Sequence, residues 1–217
     1  MVAGNVLIFK QPNMRRISYD LMRSNIPTGS LILAKCLNFN NWNSYGAFVM
    51  SNAVWTHVGM IVNFKSKPYI LSMRPFSDSI STYNLLGDSE IQMSSLDSEL
   101  DEYKKTNSIV AVRLPKHKPN EDSILNFATT ANYSYQTTLS LIRDKFIQYF
   151  GGKQLLRKII GDSVDGNAIT CSEFTGLLLK ASGLISPIDD VHGWEPTDYS
   201  SERKFLSTIY TNEIQIL

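Results

Sequence analysis

Ala168-Ile169-Thr170-Cys171-Ser172-Glu173-Phe174 reads as the start of a helix, and the rest of the chain is best read outward from it. Thr170 followed three residues later by Glu173 is a capping box, with Thr170 at the N-cap and Glu173 at N3. Ile169 and Phe174 then take the two positions of a hydrophobic staple. Beyond the cap, Phe174, Leu177, Leu178 and Ala181 recur at helical spacing and predict one buried face on a helix over 171–182. Gly183 suits the left-handed residue that ends such a helix, with Leu184 as the apolar contact that closes it.

This reading sets Cys171 at N1, in the first turn. Unpaired backbone N–H groups and the positive end of the helix dipole lie there. Both favour a thiolate, so the spacing predicts a lowered thiol pKa and a reactive sulfur. The same N–H groups suit the oxyanion that forms when a carbonyl is attacked. A small, inert, buried cysteine at a helix start fits the same text.

Upstream, 14–25 has the pattern of a short amphipathic helix ended by Ile26-Pro27, and 30–35 is an apolar run that suits a buried strand. A helix is expected at 45–51. Two strands, 54–63 and 69–73, lie close enough in sequence to form an antiparallel hairpin. Alternation puts His57, Gly59 and Ile61 on one face of the first strand and Val58, Met60 and Val62 on the other. A histidine in so apolar a strand needs partners for its ring nitrogens. A backbone-bonded structural histidine and a catalytic base both meet that need. Gly59 removes bulk beside it and would let a helix approach.

Pairing Val62 with Lys67 sets His57 opposite Ser72, whose hydroxyl would orient the imidazole as a triad's third member does. Sliding the pairing by two residues offers Arg74 instead, which cannot accept a hydrogen bond. Residues 76–107 read as an excursion of loops with a polar helix near 94–105. A strand follows at 108–114, then helices near 121–131, 137–150 and 153–160, a loop at 161–168, and a strand-like tail at 213–217. Strands in the first half and helices in the second predict a single α+β domain over 1–217, an antiparallel sheet packed against helices.

Composition narrows the function. Of 217 residues, 43% are hydrophobic and 11% aromatic, enough for a real core. Lys plus Arg number 21 against 20 Asp plus Glu, a net charge of +1, which argues against a nucleic-acid partner because phosphate binding needs clustered basic excess. No run approaches the roughly 20 apolar residues of a membrane span, and the first residues lack the pattern of a secretory signal. Two cysteines, Cys36 and Cys171, suit a reducing compartment better than a disulfide framework. The expectation is a cytoplasmic location. No His/Cys set has zinc spacing, and neither a metal nor a cofactor is expected.

Three segments in order carry a resemblance: Thr28-Gly29-Ser30-Leu31-Ile32-Leu33, Trp55-Thr56-His57-Val58-Gly59-Met60-Ile61, and Thr170-Cys171-Ser172-Glu173-Phe174. Together they resemble the permuted NlpC-type papain-like cysteine peptidases, in particular the YiiX-like group with its poxviral members. Lecithin:retinol acyltransferase is a more distant relative. Lesser echoes are Val112-Arg113-Leu114, Asn132-Tyr133-Ser134-Tyr135 and Glu195-Pro196-Thr197-Asp198, so the similarity spans about 27–200.

The resemblance implies a circularly permuted papain-like fold, in which histidine precedes cysteine. It implies Cys171 as nucleophile and His57 as base, acting through an acyl-enzyme on a peptide, amide or lipid acyl substrate, with lipid contact within the family's range. Ser72 stands where relatives often carry Glu, and Tyr135 is a second oxyanion donor. It also admits an inactive scaffold serving as a structural or interaction protein, for instance in host cytoplasm or a virus particle, and a lipid acyltransferase or phospholipase. His192 as base and Cys36 as nucleophile are rival assignments, the first in a loop and the second at a strand end.

Overall fold

A computed structural model describes residues 14–35, 55–74, 83–84, 90–135 and 168–217. The elements in chain order are β1 (Arg15–Arg16), α1 (Tyr19–Met22), β2 (Ser30–Lys35), β3 (His57–Phe64), β4 (Lys67–Met73), β5 (Tyr83–Asn84), β6 (Ile91–Ser95), α2 (Leu96–Lys105), β7 (Ile109–Arg113), α3 (Glu121–Thr130), β8 (Ser134–Tyr135), β9 (Ala168–Ile169), α4 (Cys171–Ala181) and β10 (Ile214–Gln215). Eight strands form one sheet in the order β1-β10-β7-β2-β3-β4-β6-β5. The β1–β10 pair is parallel and the other pairs in that sheet are antiparallel, so the sheet is mixed. The chain is α+β.

Strand alternation builds two cores, one on each face. Leu31, Leu33, Val58, Met60, Val62, Leu71 and Met73 meet α3 and α4, whose Ile124, Ala128, Phe174 and Leu178 are wholly buried. On the other face Ile32, Ile61, Ile70, Val110 and Val112 meet α2 through Leu96, Leu100 and Tyr103. Helices therefore cover both faces, which is why the central strands read as nearly continuous apolar runs.

Three expectations need correction. The segment 14–25 is not one helix: Arg15 and Arg16 pair with the C-terminal strand, and only Tyr19–Met22 is α-helical before a 3-10 turn at Arg23–Asn25. The 76–107 excursion contains a core strand, β6, that lies along β4. The β3–β4 hairpin closes more tightly than expected. Phe64 pairs with Lys67 across a two-residue turn in which Lys65 (φ 50°) and Ser66 (φ 61°) are both left-handed, as a type I′ turn requires. This shifts the register by two residues from the pairing of Val62 with Lys67.

Cys36, the expected helices at 45–51, 137–150 and 153–160, and nearly all of the 161–168 loop fall outside the described residues. Among the described residues no helix is long and apolar enough to cross a membrane.

Candidate active site

The start of α4 is built by its own sequence. Thr170 Oγ1 accepts from the Glu173 N–H at 3.1 Å, and Glu173 Oε2 accepts from the Thr170 N–H at 2.9 Å. The other carboxylate oxygen, Oε1, accepts from the Gly193 N–H at 2.7 Å and ties the 190s loop to the helix. At the far end the Leu184 N–H reaches the Leu179 carbonyl and the Gly183 N–H the Lys180 carbonyl, a Schellman motif with Gly183 at φ 75°. Ser172 Oγ donates to the Trp194 carbonyl at 2.6 Å, and the Tyr199 hydroxyl donates to the Ser172 carbonyl. Tyr199 is anchored in turn by the wholly buried Arg113, whose Nη1 donates to the Tyr199 carbonyl at 2.5 Å. The echo segments 112–114 and 195–198 thus supply or adjoin the scaffold behind Cys171.

Cys171 is a free thiol, 6% exposed, at the first position of α4. Burial pushes its pKa up, against the expected fall. Backbone hydrogen bonding from Val58, the charge of Arg74 and the N–H groups of Ser172 and Cys171 itself oppose that rise without cancelling it. The helix terminus is a local feature that lowers the thiol pKa, whereas the loss of water that raises it comes from tertiary packing.

The contact with Val58 brings Cys171 to the first residues of β3, beside His57. Alternation directs His57 to the α2 face of the sheet, however, whereas α4 packs on the face of Val58 and Met60. Gly59 is accordingly not a seat for α4. A Cβ there would meet Ile70 Cγ2 at 2.8 Å and Ser72 Cβ at 3.1 Å, so the glycine admits side chains of β4. Among the described contacts, no hydrogen bond directly joins His57 to Cys171.

The register decides what stands next to the imidazole. Met60 pairs with Leu71, and continuing that ladder aligns Gly59 with Ser72 and His57 with Arg74. Ser72 is buried but is not opposite His57, which corrects the expected pairing. Arg74 Nη2 lies 3.4 Å from His57 Nε2. The same Nη2 donates to Glu99 Oε2 at 2.6 Å and to the Tyr103 hydroxyl at 2.9 Å, and Glu99 Oε1 accepts from Ser94. His57 is partly buried. Desolvation first, and the Arg74 charge second, push its pKa well below the ordinary 6.5, so the ring is neutral at neutral pH.

Glu99 is a residue that sequence reasoning missed. The signal was a carboxylate on the apolar stripe of α2, where Leu96, Glu99, Leu100 and Tyr103 follow at helical spacing and all four are buried. A buried carboxylate on such a stripe needs a cation.

The other expected residues fall as follows. Tyr135 pairs with Ile169 in the short parallel β8–β9 ladder, which brings its backbone near the start of α4, while its side chain lies outside the described residues. His192 Nδ1 is 3.9 Å from Glu173 Oε1, and the ring is largely exposed. Among the described residues no three His, Cys, Asp or Glu side chains gather closely enough to hold a metal ion.

No family model matches the sequence, and no curated protein does. One solved structure that matches is described as the metalloprotein yiiX from Escherichia coli O157:H7. It is 12% identical, with a TM-score of 0.42 over 72% of this chain and 66% of that one. The match thus spans just under two thirds of that protein's length.

Proposed function

We propose that the chain is a thiol hydrolase on a circularly permuted papain-like fold, with Cys171 as nucleophile and His57 as base. The observation that carries this reading is the placing of a free thiol at the first position of a fully capped helix, against the first residues of the strand that begins with His57. The backbone groups of Val58, Ser172 and Cys171 itself favour the thiolate electrostatically, against the larger effect of burial. A helix-start thiol of this kind has N–H donors at hand for a developing oxyanion.

The chemistry follows from the two pKa directions. A raised thiol and a lowered imidazole rest as a neutral pair and not as a thiolate–imidazolium ion pair. For His57 to take the thiol proton as sulfur attacks the carbonyl, its ring turns from the α2 face toward Cys171 around the end of β3, where it is the first residue. The tetrahedral intermediate collapses when protonated His57 gives that proton to the leaving group, leaving Cys171 acylated. Water, deprotonated by His57, then releases the acid.

A hollow of about 430 Å³ lies beside Trp194, the loop residue whose carbonyl holds Ser172. Its walls are Asp189, Asp190, Asp198, Arg203 and Lys204 together with the aromatic rings of Trp194 and Phe205, and neither Cys171 nor His57 lines it. Turnover of a panel of peptide amides, short esters and phospholipids tests the reading. Product release by the parent chain and not by Cys171→Ala is expected; equal release by the two would reject it.

A second reading, a papain-like scaffold used for binding, is favoured by one observation. Cys171 is buried and its thiol is pushed toward the unreactive form. A folded parent chain inert toward every member of the panel would support it.

A further inference from the structure

We propose that Arg74, clamped by Glu99 and Tyr103, is the positioning residue of the Cys171–His57 pair. It stands beside the imidazole, with Nη2 3.4 Å from Nε2, and brings a buried positive charge to that ring. The inference rests on the thiol-hydrolase reading and adds the means by which that site is tuned.

The geometry is specific. Arg74 follows β4 directly, in register with His57, and its Nη2 stands 3.4 Å from Nε2. A guanidinium has donors only, so Arg74 cannot accept from the ring as a triad's third member does, and it acts on the imidazole through its charge. Arg74 is 9% exposed and Glu99 1%, so the ion pair at 2.6 Å is taken out of water. The Tyr103 hydroxyl at 2.9 Å fixes the same nitrogen, and Ser94 holds the far oxygen of Glu99. A guanidinium held this firmly on α2 and β6 is a fixed charge and not a mobile surface one.

Its sign has opposite consequences for the two partners. It disfavours imidazolium and favours thiolate, as the two pKa directions reflect. A triad acceptor would do the reverse by stabilising the imidazolium. Among the described residues, Glu99 and Tyr103 on α2 face Arg74, and Tyr199, with Glu173, Asp198 and Tyr210 around it, lies beside Cys171. Tyr199 is held well above its ordinary pKa by burial, so it stays neutral beside Cys171. Arg74 acts on both members of the pair.

The test is an NMR titration of the full chain, following the Cys171 ¹³Cβ and His57 ¹³Cε1 shifts in parent and variants. Arg74→Gln alone leaves Glu99 buried without its counter-charge and risks unfolding. The deciding variant is therefore Arg74→Gln with Glu99→Gln, which removes both charges and keeps amide hydrogen bonding. Compared with the Glu99→Gln single variant, both midpoints are expected to rise, by about one pH unit each. Arg74→Lys, which keeps a charge, is expected to hold both midpoints nearer the parent values. Midpoints unchanged between that single variant and a folded double variant would overturn the proposal. The titration needs no substrate, so a chain that hydrolyses nothing can still show the Arg74 effect. A working hydrolase with unmoved midpoints would reject Arg74 alone.

Discussion

Thr170 and Glu173 each hydrogen-bond the other's backbone N–H, at 3.1 and 2.9 Å, and this reciprocal cap fixes the turn that presents Cys171. Thr170→Ala leaves the Glu173 N–H without its acceptor. A loss of about 1 kcal/mol is expected. For a chain of this size that lowers the melting temperature by roughly 2–4 °C. Thermal unfolding followed by circular dichroism checks it, and Thr170→Ser should retain most of the parent stability.

Stability should fall on both sides of neutral pH, for two separable reasons. His57 has a folded pKa well below the unfolded 6.5, so the unfolded chain binds more protons as pH drops through that range, and stability is lost there. Cys171 has a folded pKa above the ordinary 9.0, so the folded chain holds its proton longer, and stability is lost as pH rises past 9. Urea unfolding across pH should show His57→Gln flattening the acid limb and Cys171→Ser flattening the alkaline limb. Parent-like slopes in both variants would show that neither group titrates differently on folding.

The β3–β4 turn stores strain in two non-glycine residues with left-handed φ, Lys65 and Ser66. Lys65→Asn with Ser66→Gly supplies residues suited to that turn. A gain on the order of 1 kcal/mol is expected from removing this strain. The β3–β4 register, read from cross-strand nuclear Overhauser contacts between Met60 and Leu71, should not change.

This turn also marks where the sequence stopped being legible. Helix α4 could be read residue by residue because its cap, staple and Schellman end are local, and each signal lies within a few positions of the next. The register beyond Lys65-Ser66 could not, since neither residue is a preferred type I′ turn former, and a slip of two exchanges Ser72 for Arg74 beside His57. Strand β6 was hidden because Gln92, Ser94 and Ser95 give it a polar look, although it is buried against β4. The pairing of β1 with β10 joins opposite ends of the chain and leaves no local trace. The thiol's raised pKa was missed because burial is a tertiary property, while the helix terminus that opposes it is local.

The central claim is that Cys171 attacks a carbonyl with help from His57. Intact-mass spectrometry of the full chain mixed with a short activated acyl ester tests it most directly. The account predicts a single acyl adduct mapped to Cys171, absent in Cys171→Ala and formed about a hundredfold more slowly in His57→Ala. An adduct that never forms on Cys171, or that forms there at the parent rate without His57, would contradict it.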